Sequence, residues 1–154
     1  LEKINPNKYP NRKKNYTAHQ KGQFVSGSFM MVRAKDFWKV GGFDTNIFLY
    51  HEETDLCKRI NKLNKHAYLI PEAEFIHYHG ASTPKSIAIK TELKLSQLYV
   101  IRKHDGYLKF KILLTFFQIK YLFSSLVKPK YRSLFLVLLK GAHLSDSLKQ
   151  KQFS

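Results

Sequence analysis

The alternation of apolar and polar residues predicts a mixed α/β chain whose helices gather toward the C-terminus. The apolar, β-rich stretch 23–33 predicts a buried strand, and Gly27 within it would let another backbone come close. Two shorter apolar stretches, 66–70 and 74–78, predict strands separated by Pro71. A strand such as the first normally joins a larger sheet, so we expect its free edge to invite pairing.

Helical spacing of apolar residues predicts five helices. They cover residues 34–40, 52–63, 86–104, 107–127 and 134–139. The first is expected to end at Gly41-Gly42, and Asn64 suits a left-handed end for the second. Thr83 and Pro84 are residue types that favour the start of the third helix.

Lysines interrupt the apolar runs of the C-terminal third. Neither run offers the roughly 20 uninterrupted apolar residues of a membrane-spanning helix. We therefore expect amphipathic helices with basic flanks, the composition of helices that lie on a membrane surface. The same spacing is typical of a helix that packs on the rest of its own protein, and the two interpretations stand equal.

The charge balance narrows the class of partner. The 154 residues include 27 Lys or Arg against 11 Asp or Glu, a formal net charge of +16, and one cysteine. One cysteine excludes a disulfide scaffold and a cysteine-based zinc module. The charge implies a polyanionic partner: a nucleic acid, an anionic membrane or a phosphorylated substrate. It is concentrated at 102–154, where 11 basic residues face two acidic ones.

The acidic residues gather elsewhere, because six of the 11 fall between Asp44 and Glu74. Such a cluster suggests a site, although acids at helix starts and turns would give the same pattern. Within the cluster, Asp55 precedes Arg59 by four residues and Lys62 by seven. This spacing places the three side chains on one helix face, so we expect Asp55 to make a surface ion pair there.

Glu53 has a different position on the same predicted helix. The residues three, four and seven positions further on are Leu56, Cys57 and Ile60, so Glu53 lies at the N-terminal end of the apolar face of this helix. We expect it to point into the protein or a cleft, where its pKa would be raised and it could act as a general base. On spacing alone, a carboxylate that caps its own helix is the more common arrangement.

His77 and His79 form a second candidate group. In a strand the two imidazoles would face the same side and could bind a metal or a phosphate. Without Cys or Asp neighbours the pattern is weak, and paired strand histidines are more often structural.

Four motifs in order carry a resemblance to a known family. They are Gly27, the G-G-F-D of 41–44, the F-L-Y-H-E-E-T-D-L-C-K-R of 48–59 and the H-Y-H-G-A-S of 77–82. Their order and spacing over 24–105 closely resemble the C-terminal half of the catalytic domain in inverting family-2 glycosyltransferases. The pattern is most similar to that of the bacterial rhamnosyltransferase-type members.

The resemblance implies an α/β fold, namely the acceptor-side half of a GT-A nucleotide-sugar transferase domain. That half would consist of a short mixed sheet with flanking helices over residues 23–105. It would follow an irregular basic lead-in, 1–22, and precede a basic amphipathic helical tail, 106–154.

The resemblance also implies roles for individual residues. Glu53 occupies the position of the catalytic base that deprotonates the acceptor hydroxyl, although the family has Asp there. Glu52 would position the acceptor or the base. Trp38 and Asp44 would line the acceptor side. His51 stands where the family usually has an aromatic residue, and no role is assigned to it.

Two glycines and the paired histidines complete the implied site. Gly27, Gly42 and His79 fall on motif positions expected to contribute to substrate binding, and His77 matches the family histidine near the metal-bound diphosphate.

The implied reaction is a direct displacement at the anomeric carbon of a nucleotide sugar, with inversion. A divalent cation, Mg or Mn, would stabilise the leaving diphosphate. In the family, an N-terminal half with a D-x-D motif supplies most of the ligands for that metal. This sequence has no D-x-D. We therefore expect that the chain by itself would not transfer sugar.

The expected partners are a nucleotide-sugar donor and a saccharide or lipid-linked acceptor. Residues 107–140 would contact a membrane peripherally, which predicts a cytoplasmic protein on the inner face of the cell membrane. No nucleic acid is expected, but a basic nucleic-acid-binding module would also fit the charge and the interleaved Tyr, Phe and Lys of the tail. A non-catalytic partner protein that reuses half a transferase fold is a third alternative.

Overall fold

The computed structural model describes residues 15–76 and 86–152. Packing divides the chain into two units. The N-terminal unit comprises residues 1–44 and 52–79, and the helical unit comprises residues 45–51 and 80–154. The described residues form a small two-stranded sheet and several helices, which agrees with a mixed α/β chain.

The N-terminal unit contains one small sheet and two helices. Strand β1 (Gln20–Gly22) pairs antiparallel with β2 (Ala67–Leu69), with Gln20 opposite Leu69. Helix α1 spans Ala34–Lys39 and α2 spans Glu52–Asn61. The two helices and the strand near residue 67 confirm the sequence predictions, and Asn64 adopts the expected left-handed conformation with φ of 57°.

The predicted strand over 23–33 is wrong. The strand of this region is β1, and residues 23–33 form bends and a turn at Gly27-Ser28. A strand needs a neighbour that satisfies its backbone groups, and the described residues pair only β1 with β2. Met31, expected in the interior, is 91% exposed. The strand predicted over 74–78 is also not observed at residues 74–76, and residues 77–78 lie outside the described residues.

A buried ion pair ties α2 to the end of α1. The Asp55 carboxylate is fully buried, and its Oδ2 accepts from Arg59 Nε at 2.8 Å and lies 2.7 Å from Arg59 Nη2. Arg59 Nη1 donates to the carbonyl of Val40, directly after α1, at 2.6 Å. Of the two predicted partners, Arg59 pairs with Asp55. The predicted surface location was wrong, because Asp55 is fully buried and the turn after α1 supplies a second acceptor for Arg59.

The helical unit packs three helices around one core. Its elements are α3 (Ile87–Asp105), α4 (Tyr107–Val127) and α5 (Arg132–Leu139). Helix α3 begins with Ser86 as its N-cap, whose hydroxyl accepts from Ile89 N, while Thr83 and Pro84 lie outside the described residues. The core residues are Leu98, Phe110, Leu114, Phe117, Tyr121, Leu134 and Leu138.

Helix α4 is apolar on two faces. Its core face follows helical spacing, as does a second set that is exposed on the opposite side. We call this second set the apolar stripe; it consists of Leu108, Ile112, Phe116, Ile119, Phe123, Leu126 and Val127. Among residues 15–76 and 86–152, α4 is the one helix that could cross a membrane by length and composition, so the expectation that its lysines preclude this was too strict. Core helices of soluble proteins satisfy the same criterion.

Two polar contacts tie the first segment of the helical unit to its helices. Ser96 Oγ donates to the carbonyl of Leu49 at 2.8 Å, and the Lys149 ammonium donates to the carbonyl of Thr45. The segment ends with Tyr50 and His51, both left-handed with φ of 67°. Burial, and then the positive charge of Lys94, lowers the pKa of His51 to about 4.

Asp55→Asn tests the buried ion pair. The amide keeps the shape of the side chain but leaves the Arg59 charge uncompensated, so we expect the free energy of unfolding to fall by about 3–5 kcal/mol. The control is Glu72→Gln, which makes the same change in the exposed pair with His19 (3.3 Å) and should cost less than about 1 kcal/mol. Urea unfolding of both variants makes the comparison, and equal losses would contradict the account.

His51 should make stability depend on pH. Its pKa of about 4 lies below the ordinary value of 6.5, so the unfolded chain binds this proton first. Protonation of His51 in the unfolded chain should therefore lower the free energy of unfolding as the pH falls from about 6.5 to about 4. Above about pH 6.5 His51 is neutral in both states, and this loss is absent. His51→Asn keeps a residue that tolerates positive φ and should flatten this slope. An imidazole NMR titration with a midpoint near 6.5 would refute the assignment.

Candidate functional site

The candidate site is built on the first turn of α2. Glu52, Glu53 and Asp55 all lie there, where the positive end of the helix dipole stabilises carboxylates. Asp55 is committed to Arg59 inside the protein. The two remaining carboxylates, Glu52 and Glu53, are both partly exposed.

The segment 23–27 lies along one face of α2. Asn61 Nδ2 donates to the carbonyl of Gln23 at 3.1 Å. Four residues earlier on α2, Cys57 interacts with the backbone of Val25. Four residues earlier again, Glu53 meets Gly27. The contacts therefore advance two residues along the segment for every four residues, about 6 Å, along α2.

Gly27 is the point where this segment meets the candidate base. A Cβ built on Gly27 would lie 3.7 Å from Glu53 Cβ and 3.9 Å from its carboxylate oxygen Oε2. A methyl group would make an ordinary contact there, whereas a longer side chain would occupy the space beside the carboxylate. Gly27 and Glu53, singled out separately from the sequence, are thus brought together.

Cys57 is a neighbour of Glu53 that the sequence analysis did not place in the site. The side chain is buried, and burial followed by the negative charge of Glu53 raises the pKa of its thiol, while a backbone hydrogen bond from Val25 opposes the shift. Cys57 is therefore a neutral, apolar wall on the inner side of Glu53. The signal was present in the four-residue spacing of Glu53 and Cys57.

Glu52 offers an acceptor without a protein donor. Its Oε2 is buried and makes no hydrogen bond to the described residues. Buried carboxylate oxygens are normally satisfied, so this atom is a place where a hydroxyl group of a bound molecule could donate. This fits the positioning role that the resemblance implies for Glu52.

Trp38 and Gly42 form a second group in the N-terminal unit. Trp38, 72% exposed, stands edge-on to Phe37 with ring centroids 5.0 Å apart. Gly42 has a φ of 70°, and a Cβ there would meet the ring of Phe37 at 3.4 Å. Gly42 thus permits the turn that closes over Phe37 and leaves Trp38 facing solvent. Asp44 follows two residues later and is half-buried.

The structure gives no position for the paired histidines. His77 and His79 lie outside the described residues. Within 15–76 and 86–152, no three His, Cys, Asp or Glu side chains are grouped so that they could hold a metal ion. The described residues therefore do not supply the donor set for the implied divalent cation.

Two curated relatives match about half of the chain. Rhamnosyltransferase WbbL of Escherichia coli (strain K12) is 38% identical over 82 residues, which cover 52% of this chain and 31% of WbbL. The N-acetylglucosaminyl-diphospho-decaprenol L-rhamnosyltransferase of Mycobacterium tuberculosis (strain ATCC 25618 / H37Rv) is 33% identical over 86 residues, which cover 54% of this chain and 28% of the relative.

The match therefore spans about 30% of the length of these relatives. No family model matches the chain. No solved structure matches it either. The predicted resemblance to bacterial rhamnosyltransferases is confirmed over about half of the chain.

Proposed function

We propose that this chain is the acceptor-side part of a rhamnosyltransferase-type glycosyltransferase of cell-envelope polysaccharide synthesis, with the C-terminal half of a GT-A domain. One observation carries the proposal: the acid pair Glu52 and Glu53 occupies the first turn of α2, with Glu53 against Gly27, in a chain similar to rhamnosyltransferases. A single carboxylate base beside an acceptor pocket is sufficient for one direct displacement.

Glu53 acts as the general base in this proposal. Its carboxylate takes the proton from the attacking hydroxyl of the acceptor as that oxygen forms a bond to the anomeric carbon of the donor. The bond from the anomeric carbon to the nucleotide diphosphate breaks, and the diphosphate leaves with the bonding electron pair. Attack and departure occur on opposite faces, so the configuration at this carbon inverts.

Other residues of the N-terminal unit position the acceptor. Glu52 Oε2, which has no donor among the residues that the structure describes, accepts a hydrogen bond from an acceptor hydroxyl and holds it toward Glu53. The exposed ring of Trp38 provides a flat apolar surface for a sugar ring, and Asp44 provides a further polar contact on that side. Such positioning lowers the entropic part of the barrier.

Donor binding needs residues beyond those described. We propose that the residues that bind the nucleotide, and most of the ligands for a divalent cation, Mg or Mn, belong to a part of the protein outside this chain. When bound, this cation would neutralise the leaving diphosphate. The proposal includes the expectation that the isolated chain does not transfer sugar, and the length of the relatives supports it.

The proposed location is the inner face of the cell membrane. A lipid-linked acceptor would be reached there, and the mycobacterial relative is named for a diphospho-decaprenol acceptor. The exposed apolar stripe of α4 and the basic residues of the helical unit support peripheral membrane contact.

Glu53→Gln in the full-length protein tests the proposal. The assay uses a nucleotide-activated L-rhamnose donor and an N-acetylglucosaminyl-diphospho-lipid acceptor. Loss of the base should lower kcat about 100-fold or more, with KM for the donor little changed. Glu53→Asp keeps a carboxylate and should retain more activity than Glu53→Gln.

Glu72→Gln is the matched control, because it makes the same change on the exposed surface of the N-terminal unit. It should leave kcat unchanged. If Glu53→Gln folds with native circular dichroism and transfers sugar at the wild-type rate, the assignment of the base is refuted.

A further inference from the structure

A groove in the helical unit gathers lysines that the proposed reaction does not use. It has a volume of about 610 Å³ and lies between α3, the end of α4 and the turn that follows α4. Lys90, Lys94, Lys120 and Lys128 line it. None of the ten described residues that line the groove is acidic. Its charge is therefore uncompensated by its own walls, and we call it the lysine groove.

Aromatic rings hold the lysines of α3 in place. Lys90 Nζ donates to the hydroxyl of Tyr131 at 3.2 Å and lies 4.8 Å from the centroid of that ring. Lys94 Nζ lies 4.4 Å from the centroid of Phe117 and donates to Gln97 Oε1 at 3.0 Å. The ammonium groups are thus fixed by neutral partners and keep donors for a further ligand.

The lysines also act on one another. Burial, and then the charges of Lys120 and Lys90, lowers the pKa of Lys94. Cations from two helices therefore face the same space and repel each other. An anion placed among them would relieve this repulsion and accept hydrogen bonds, and phosphate is the anion that several lysines bind well.

The rim of the same groove is apolar. Phe123 and Val127 line it and are 63% and 77% exposed. Both belong to the apolar stripe, which continues along α4 to Leu108. The lysines of the groove thus lie next to an exposed aliphatic and aromatic surface. A ligand that matches both parts carries a phosphate and a hydrocarbon chain.

We propose that the lysine groove binds the phosphate of an anionic phospholipid at a membrane surface, while the apolar stripe contacts its acyl chains. A nucleic acid would satisfy the lysines, but it would leave the aliphatic stripe in water. The inference deepens the membrane contact of the proposed function, and it does not depend on sugar transfer.

Vesicle sedimentation of the full-length protein tests the site. The vesicles contain equal parts of phosphatidylglycerol and phosphatidylcholine, and pure phosphatidylcholine is the reference. K94Q/K120Q removes two lysines of the groove, whereas K109Q/K111Q removes two lysines of α4 that do not line it. The net charge falls equally in both variants. We expect K94Q/K120Q to lose roughly 25-fold in affinity, about five-fold for each charge, and K109Q/K111Q to lose much less.

Two further variants keep the test informative. Phe123→Ser changes no charge but removes an exposed ring of the rim, so it should also weaken vesicle binding. Lys120 is exposed, so K120Q against K109Q repeats the comparison if the double variant loses its helical circular dichroism. Glu53→Gln should bind vesicles like the wild type, which separates this inference from the catalytic proposal.

Three results would overturn the inference. Equal losses in K94Q/K120Q and K109Q/K111Q would show that diffuse charge, and not the groove, binds the membrane. Displacement from vesicles by millimolar glycerol 3-phosphate would assign the groove to a soluble phosphate. Single-stranded DNA that binds more tightly than the vesicles at the same salt, and through the same two lysines, would assign it to a nucleic acid.

Discussion

The N-terminal unit depends on one buried charge pair. Asp55 and Arg59 stand one turn apart on α2, and the guanidinium also reaches the carbonyl of Val40 behind α1. This contact constrains the rotation of α2 against α1, because the partly buried guanidinium keeps both acceptors. Once the rotation is set, Asp55 points inward. The neighbouring Glu53 then meets the segment 23–27 along another face of the helix.

That second face explains why the candidate site has its form. The segment contacts α2 at every second residue, with Gln23 at Asn61 and Val25 at Cys57, and Gly27 reaches Glu53 without a side chain. Cys57 closes the inner side as a neutral wall. The carboxylate of Glu53 therefore has the backbone of Gly27 and the neutral thiol of Cys57 as neighbours. Glu52, next to it in the chain, adds a carboxylate oxygen that has no hydrogen-bond donor within residues 15–76 and 86–152.

The positions of the helices were predicted from the sequence more accurately than the burial of individual side chains. Helical spacing placed α2, α3, α4 and α5 within a few residues, and the partner of Asp55 was correct because it lies on the same helix. The strand over 23–33 was wrong, since an apolar, β-rich stretch does not reveal whether a neighbouring strand exists to pair with it. The burial of the Asp55–Arg59 pair involves Val40, fifteen residues before Asp55, and helical spacing does not predict a contact over that distance. The contact of Gly27 with Glu53 also joins residues far apart in the sequence, so spacing did not predict it either.

The helical unit carries a surface of its own, with the lysine groove and the apolar stripe on one three-helix scaffold. The central claim concerns the chemistry at Glu53, namely one displacement assisted by one base. The most direct test is the anomeric configuration of the product, measured by NMR on the saccharide formed by the full-length protein. The account predicts a configuration opposite to that of the nucleotide-sugar donor. Retention would require a covalent or double-displacement route and would contradict the account.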